Sequence, residues 1–137
     1  MTFLSSGTGN KDPEMIENGR AALRAAEVLK SLQAGEIRIY DVRRQPAFTD
    51  FCVIATGKNK RHLRAMADIL VLYLRSRNCR VLGVEGRGGS WVAVDCGPFV
   101  IHLMDSRLRE YYEIDSAWRC AQISLEDVSS LPAAESA

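Results

Sequence analysis

The chain has 137 residues and few groups suited to acid–base or nucleophilic chemistry. Its two histidines are His62 and His102. His62 lies in a basic stretch. His102 alternates with apolar neighbours, and a histidine placed so is more often a hydrogen-bonded structural residue than a catalyst. Asp41, Asp50, Asp95 and Asp105 stand at expected strand ends or turns, where aspartates commonly accept turn N–H groups. No D-x-D pair occurs, which leaves two-metal phosphoryl or nucleotidyl transfer poorly supported. Ser90, Ser106 and Ser116 lack a nucleophile-elbow context. Cys52, Cys79, Cys96 and Cys120 form no CxxC pair, whereas structural zinc usually needs paired short spacings. Reduced core thiols are the expectation, and such thiols suit a reducing compartment. No catalytic residue, metal ligand or cofactor is expected.

Two glycine-bearing stretches could hold anions. Thr56-Gly57-Lys58-Asn59-Lys60-Arg61-His62 places a glycine between an apolar strand and a helix, where N–H groups and the helix dipole favour negative charge. Lys58, Lys60, Arg61 and Arg64 make it a candidate contact for RNA phosphates; the alternative is a solvated helix start. It lacks the P-loop spacing. Gly86-Arg87-Gly88-Gly89-Ser90 resembles half of a dinucleotide fingerprint, but it leads into a strand at Trp91 rather than a helix, and reads as a flexible hairpin turn.

Binding anchors are better supplied. Trp91 follows that turn; Arg107, Arg109, Tyr111 and Tyr112 cluster after the last expected strand, and Met104 precedes them. Trp, Tyr and Arg dominate binding hot spots because each joins a large contact area to a directed polar group. Arginine outnumbers lysine 14 to 4, and its planar fork suits carboxylate and phosphate partners. Trp91 is equally readable as a core residue with a hydrogen-bonded N–H. The residue types therefore favour a binding module over an enzyme and leave the partner open.

The elements that must position these residues follow from periodicity. A first helix is expected from about Glu14, with Ile16, Gly19, Leu23, Ala26 and Leu29 at helical spacing and Gly35 as its end. Glu36–Val42 alternates as a half-buried strand; Asp50–Thr56 is apolar on both faces, as a central strand would be. A helix follows from about Asn59, a plausible N-cap, to Arg77. Its stripe is Leu63, Met66, Ala67, Leu70 and Leu74. Ile69, Val71, Leu72 and Tyr73 add apolar surface that either meets a partner or is sandwiched within the domain. Strands at Cys79–Val84, Trp91–Asp95 and Phe99–Met104 have short, hairpin-like connections. A last helical segment carries Tyr111, Tyr112, Ile114 and Trp118. The order α-β-β-α-β-β-β-α indicates an α/β or α+β fold on a single mixed β-sheet of about five strands flanked by helices. Residues 1–13 read as a disordered lead, 14–120 as the domain and 121–137 as a flexible tail.

Composition bounds the function classes. The apolar fraction of 47% is ordinary for one globular domain. Eighteen basic and 17 acidic side chains leave a net charge of +1, which excludes a charge-driven nucleic-acid coat but not a local basic patch. No apolar stretch reaches the roughly 18–20 residues of a membrane span, and the N-terminus lacks the pattern of a signal or transit peptide. A soluble cytoplasmic protein is expected.

Two blocks of residues, in order, carry a family resemblance. The first is Asp41-Val42, Phe48-Thr49-Asp50-Phe51-Cys52-Val53-Ile54-Ala55-Thr56-Gly57, Arg61-His62 and Ala65-Met66-Ala67-Asp68. The second is Gly83-Val84-Glu85-Gly86, Trp91-Val92-Ala93-Val94-Asp95, Gly97, Val100-Ile101-His102, Arg109-Glu110-Tyr111-Tyr112 and Trp118. Together they resemble the ribosomal silencing factor, or Iojap-like, family over about Ile16 to Cys120. Asn59 stands where members usually carry a small hydroxyl residue, and Pro98 where an acidic residue is common. The turn before Trp91 is about one residue shorter than in many members. The resemblance implies a nucleotidyltransferase-like fold without catalytic carboxylates. It implies binding to the large ribosomal subunit through its fourteenth protein, blocking of small-subunit joining and repression of translation. Family members often form homodimers when free. By analogy, the contact surface would use Trp91, Met104, Arg107, Arg109 and Tyr112, with ribosomal RNA phosphates near Lys58, Lys60, Arg61 and Arg64. The alternatives are a nucleotidyltransferase-like enzyme and a large-subunit assembly or RNA-binding module.

Overall fold

The computed structural model describes residues 13–44, 49–117 and 122–123. Helix α1 (Pro13–Ser31) leads into β1 (Gly35–Asp41) and β2 (Phe51–Gly57); α2 (Lys60–Ser76) leads into β3 (Gly83–Glu85), β4 (Trp91–Asp95) and β5 (Phe99–Asp105). Two short helices, α3 (Ser106–Tyr112) and α4 (Ile114–Ala117), and β6 (Gln122–Ile123) complete the order. The sheet runs β3-β4-β5-β2-β1-β6. It is mixed: β2 and β5 pair in parallel, and the other neighbours are antiparallel. The α2 crossover makes the parallel pair possible, since parallel strands cannot be joined by a tight turn.

Period-two alternation sends each strand's side chains to two different layers. Ile39, Val53, Ala55, Val92, Val94, Ile101 and Leu103 face α1 and α2, where Ala22, Ala25, Leu29, Leu63, Leu70 and Leu74 cover them. Full burial of one Leu or Ile contributes about 1.5–3 kcal/mol, so this dry layer carries most of the hydrophobic stabilisation. The α2 stripe lies inward as its spacing requires. Its extra apolar residues divide: Val71 and Tyr73 pack against the core, while Ile69 and Leu72 are exposed. The opposite layer is smaller. Tyr40, Val42, Cys52, Ile54 and Met104 pack there with Trp91, Leu108 and Ile114, under α3 and α4.

Local structure departs from the sequence expectation in four places. Helix α1 ends at Ser31, and the left-handed residue is Gln33, at φ 70°, not Gly35. Gly35 instead opens β1, where a Cβ would stand 2.7 Å from Thr56 Oγ1. The strand expected at Cys79–Val84 shrinks to Gly83–Glu85, because the chain is still capping α2: Cys79 N–H donates to the Leu74 carbonyl at 2.9 Å. Gln122 and Ile123, read from sequence as the start of a tail, pair with Tyr40 and Ile39 and add a sixth strand. The helical segment after Asp105 is broken at Glu113, whose φ of 49° is left-handed. Residues 1–12, Trp118 and Cys120 lie outside the described residues.

Candidate docking surface

Strand register brings three separated stretches to one end of the sheet. Thr56 pairs with Met104 and Gly57 with Asp105, so α2 and α3 both start at the carboxyl ends of the parallel pair. Trp91 pairs with Met104 from the other side. The basic helix start, the Trp91 ring and α3 therefore emerge together.

Asparagine and aspartate caps set both helix starts. Asn59 adopts an extended N-cap, and its side chain accepts from His62 N–H at 2.8 Å. The His62 ring adds a second tie: Nδ1 accepts from Lys58 N–H at 2.9 Å, and Nε2 lies 2.9 Å from the Leu32 carbonyl, to which it donates. This histidine joins the end of α1 to the start of α2, a role that the basic stretch around it gave no sign of. Lys58, Lys60, Arg61 and Arg64 all point into solvent, with Arg64 4.0 Å from Asp68. Asp105 caps α3 by accepting from Leu108 N–H at 2.9 Å. Asp95 accepts from Gly97 N–H at 2.8 Å, the turn role expected of it. Asp41 pairs with Arg43, whose hydrogen bonds outweigh burial and lower its pKa; burial raises that of Asp50.

Trp91 is half-buried, and its ring belongs to an aromatic row. The indole N–H donates to His102 Nδ1 at 3.0 Å. Burial lowers the pKa of His102, keeping the ring neutral and Nδ1 able to accept. The Trp91 ring lies 5.9 Å from His102 and 5.4 Å from Tyr112, which meets Tyr111 edge-on at 4.9 Å. Tyr112 and Tyr111 are 54% and 75% exposed, so the row runs from a fixed base outward into solvent. The two readings of Trp91 thus combine: its N–H is bonded inward while its ring stays open outward.

The turn before Trp91 is held in place. Gly86 has a φ of 77°, and a Cβ there would sit 2.2 Å from the Trp91 carbonyl oxygen. Arg87 reaches across to α2 and donates to both carboxylate oxygens of Asp68, at 2.8 and 2.9 Å. What read as a flexible turn is tied to α2 by a bidentate, exposed ion pair.

Two of the anchor residues are corrected. Met104 is 0% exposed, packed beneath Trp91, and cannot touch a partner without unpacking. Arg109 is 7% exposed and spent internally. Its Nε and Nη2 donate to the two Asp115 oxygens at 2.7 Å each, and Nη1 donates to the Glu36 carbonyl at 2.7 Å. Tyr40 Oη donates to Asp115 at 2.6 Å. Arg109 chiefly, and Tyr40 after it, hold the Asp115 carboxyl below the usual range, whereas burial and that carboxylate raise the Tyr40 hydroxyl. This network fixes α3 and α4 against β1, so Arg109 orients Tyr112 rather than meeting a partner. Tyr112 remains exposed beside Trp91, and Arg107 is exposed on the first turn of α3.

A sequence model of the family described as "ribosomal silencing factor during starvation" matches residues 14–137. The chain belongs to the ribosomal silencing factor family. A ribosomal silencing factor of Haemophilus influenzae is 33% identical over 93 residues, covering 67% of this chain and 91% of that protein. The mouse protein named mitochondrial assembly of ribosomal large subunit protein 1 is 36% identical over 95 residues, 66% of this chain and 42% of its own length. A crystal structure of a Chromobacterium violaceum protein superposes with a TM-score of 0.67 at 28% identity, covering 87% of this chain and 94% of the other. Silencing-factor sequence blocks thus coincide with the strands that bear the aromatic row and the caps. Among the described residues no helix is long and apolar enough to cross a membrane.

Proposed function

We propose that this chain silences ribosomes by occupying the large subunit where the small subunit docks, contacting the fourteenth large-subunit protein and catalysing no reaction. The carrying observation is the register that gathers Trp91, α3 and the basic start of α2 at one end of the sheet. Trp91 and Tyr112 supply apolar contact, Arg107 a directed charge, and Tyr111 extends the row. Lys58, Lys60, Arg61 and Arg64 stand beside them and would meet ribosomal RNA phosphates, a salt-sensitive contact. A standard interface takes roughly 800 Å² from each partner, enough for steric exclusion by a small domain. The protein acts in the cytoplasm, and when free it pairs as a homodimer.

The test mixes purified small and large subunits with excess protein and follows joining by light scattering. Joining slows with wild type, and the protein sediments with large subunits alone. Normal joining at saturating protein would defeat this reading. A role in large-subunit assembly is the second reading, favoured by the name of the mouse relative. It predicts accumulation of immature large subunits when the protein is depleted in well-fed cells.

A further inference from the structure

A second concavity lies at the opposite end of the sheet from Trp91, between α1, the carboxyl end of α2 and the turn from β4 to β5. Its volume is about 380 Å³, within the range of small-molecule sites. Leu74, Phe99 and Cys96, all buried, form an apolar floor. Arg24 from α1, Arg77 at the end of α2 and Arg80 just beyond line it, with no aspartate or glutamate among the lining residues. None of these three takes part in the ion pairs of the described residues, which join Arg43, Arg64, Arg87 and Arg109 to Asp41, Asp68 and Asp115. The Arg77 guanidinium lies over the Tyr73 ring at 5.3 Å, a cation–π contact at the cavity wall.

The contrast with the larger cavity beside Arg109 is instructive. That one is about 590 Å³ but holds four carboxylates, Glu36, Glu110, Glu113 and Asp115, against two guanidinium groups, Arg38 and Arg109, so its lining is net acidic and disfavours an anion. The smaller cavity has three guanidinium groups around an apolar base and, among the described residues, no carboxylate in its lining. Guanidinium forks match phosphate oxygens, and Phe99, Leu74 and Tyr73 in the lining offer apolar and π surface to a flat ring.

We infer that this cavity binds a small organic phosphate with a flat aromatic body, of nucleotide class. The concave, floored shape favours a discrete molecule over a nucleic-acid strand, which would track a groove. The site is independent of the docking surface.

The experiment titrates the full chain with ATP and GTP, and with adenosine and tripolyphosphate as half-ligands, by calorimetry. Saturable nucleotide binding is expected, with each half-ligand at least about tenfold weaker. Arg24→Ala with Arg80→Ala should weaken nucleotide binding by about tenfold or more while leaving the unfolding temperature in place. Arg80→Glu, at an exposed position, is the back-up should the double variant unfold. In wild type, bound nucleotide should slow alkylation of half-buried Cys79, which also lines the cavity, by N-ethylmaleimide. Absence of saturable binding at millimolar nucleotide would overturn the proposal. So would equal affinity in the arginine variants, tripolyphosphate matching the nucleotides, or single-stranded RNA binding at the same arginines more tightly than either.

Discussion

The two faces of the sheet are made by the same strands and behave differently. The face under α1 and α2 is closed by aliphatic side chains such as Leu29, Val53, Leu70 and Ile101, all fully buried. The face under α3 and α4 has five buried residues, a Tyr40–Asp115–Arg109 network at one edge and the His102–Trp91–Tyr112 row at the other. Apart from the arginine-lined cavity at its far end, the first face is covered. The second is only partly covered, and what it leaves open is aromatic and hydrogen-bonded into position. A small domain can thus separate stability from recognition by using the two side-chain directions of one set of strands.

That division can be broken by mutation, beginning with the closed face. Leu70→Ala should cost about 3 kcal/mol of unfolding free energy in a denaturant melt, through lost burial and a cavity. Its binding to large subunits should be unchanged at temperatures where it stays folded. Arg109→Met should come next, at about 2 kcal/mol, because Asp115 loses its charge partner; Asp115 is about a third exposed and water replaces part of the loss. That variant should also lose binding as α3 loosens, with Tyr112 side-chain resonances broadening by NMR.

Trp91→Ala should reverse the pattern, weakening large-subunit binding by roughly 2 kcal/mol or more with a smaller effect on stability. Wild-type affinity in that variant would remove the anchor assignment. Trp91→Phe sharpens the comparison, since it keeps a ring beside Tyr112 but removes the N–H that holds His102.

Acidification probes the same bond. The folded-state pKa of His102 lies below the ordinary value of about 6.5, so the unfolded chain binds the extra proton first. Its contribution to stability is present above that value and is lost as pH falls through the depressed folded value. Protonated Nδ1 can no longer accept from Trp91, so binding should weaken over the same window. His102→Gln should flatten this dependence in pH-resolved melts. The smallest effect is expected from Lys60→Ala, a few tenths of a kcal/mol in affinity with a shallower dependence on salt. An unchanged salt slope would separate the basic helix start from RNA.

The half-buried alternation of β1, the doubly apolar β2, the inward stripe of α2 and the cap at Asn59 were legible because each depends on neighbours within a few residues. The structural role given to His102 was legible for the same reason: an imidazole between apolar neighbours must find a partner. Met104 was misread as open, since periodicity says that it shares a side of β5 with His102 but not that Trp91 and Leu108 cover it. Arg109 was misread as a contact, since its carboxylate partner and the Glu36 carbonyl are brought to it by separate elements.

Local pattern was therefore enough for a mixed sheet with helices and for its central strand, and the resemblance of two ordered motif blocks for the family, because periodicity, capping and motif order are properties of the chain read in line. Which face stays open, which arginine is spent and which end of the sheet collects Trp91, Tyr112 and the basic turn depended on the parallel pairing of β2 with β5 and on where α3 comes to rest. Those are contacts between residues dozens of positions apart, and burial is a property of what lies on top of a side chain rather than of the side chain.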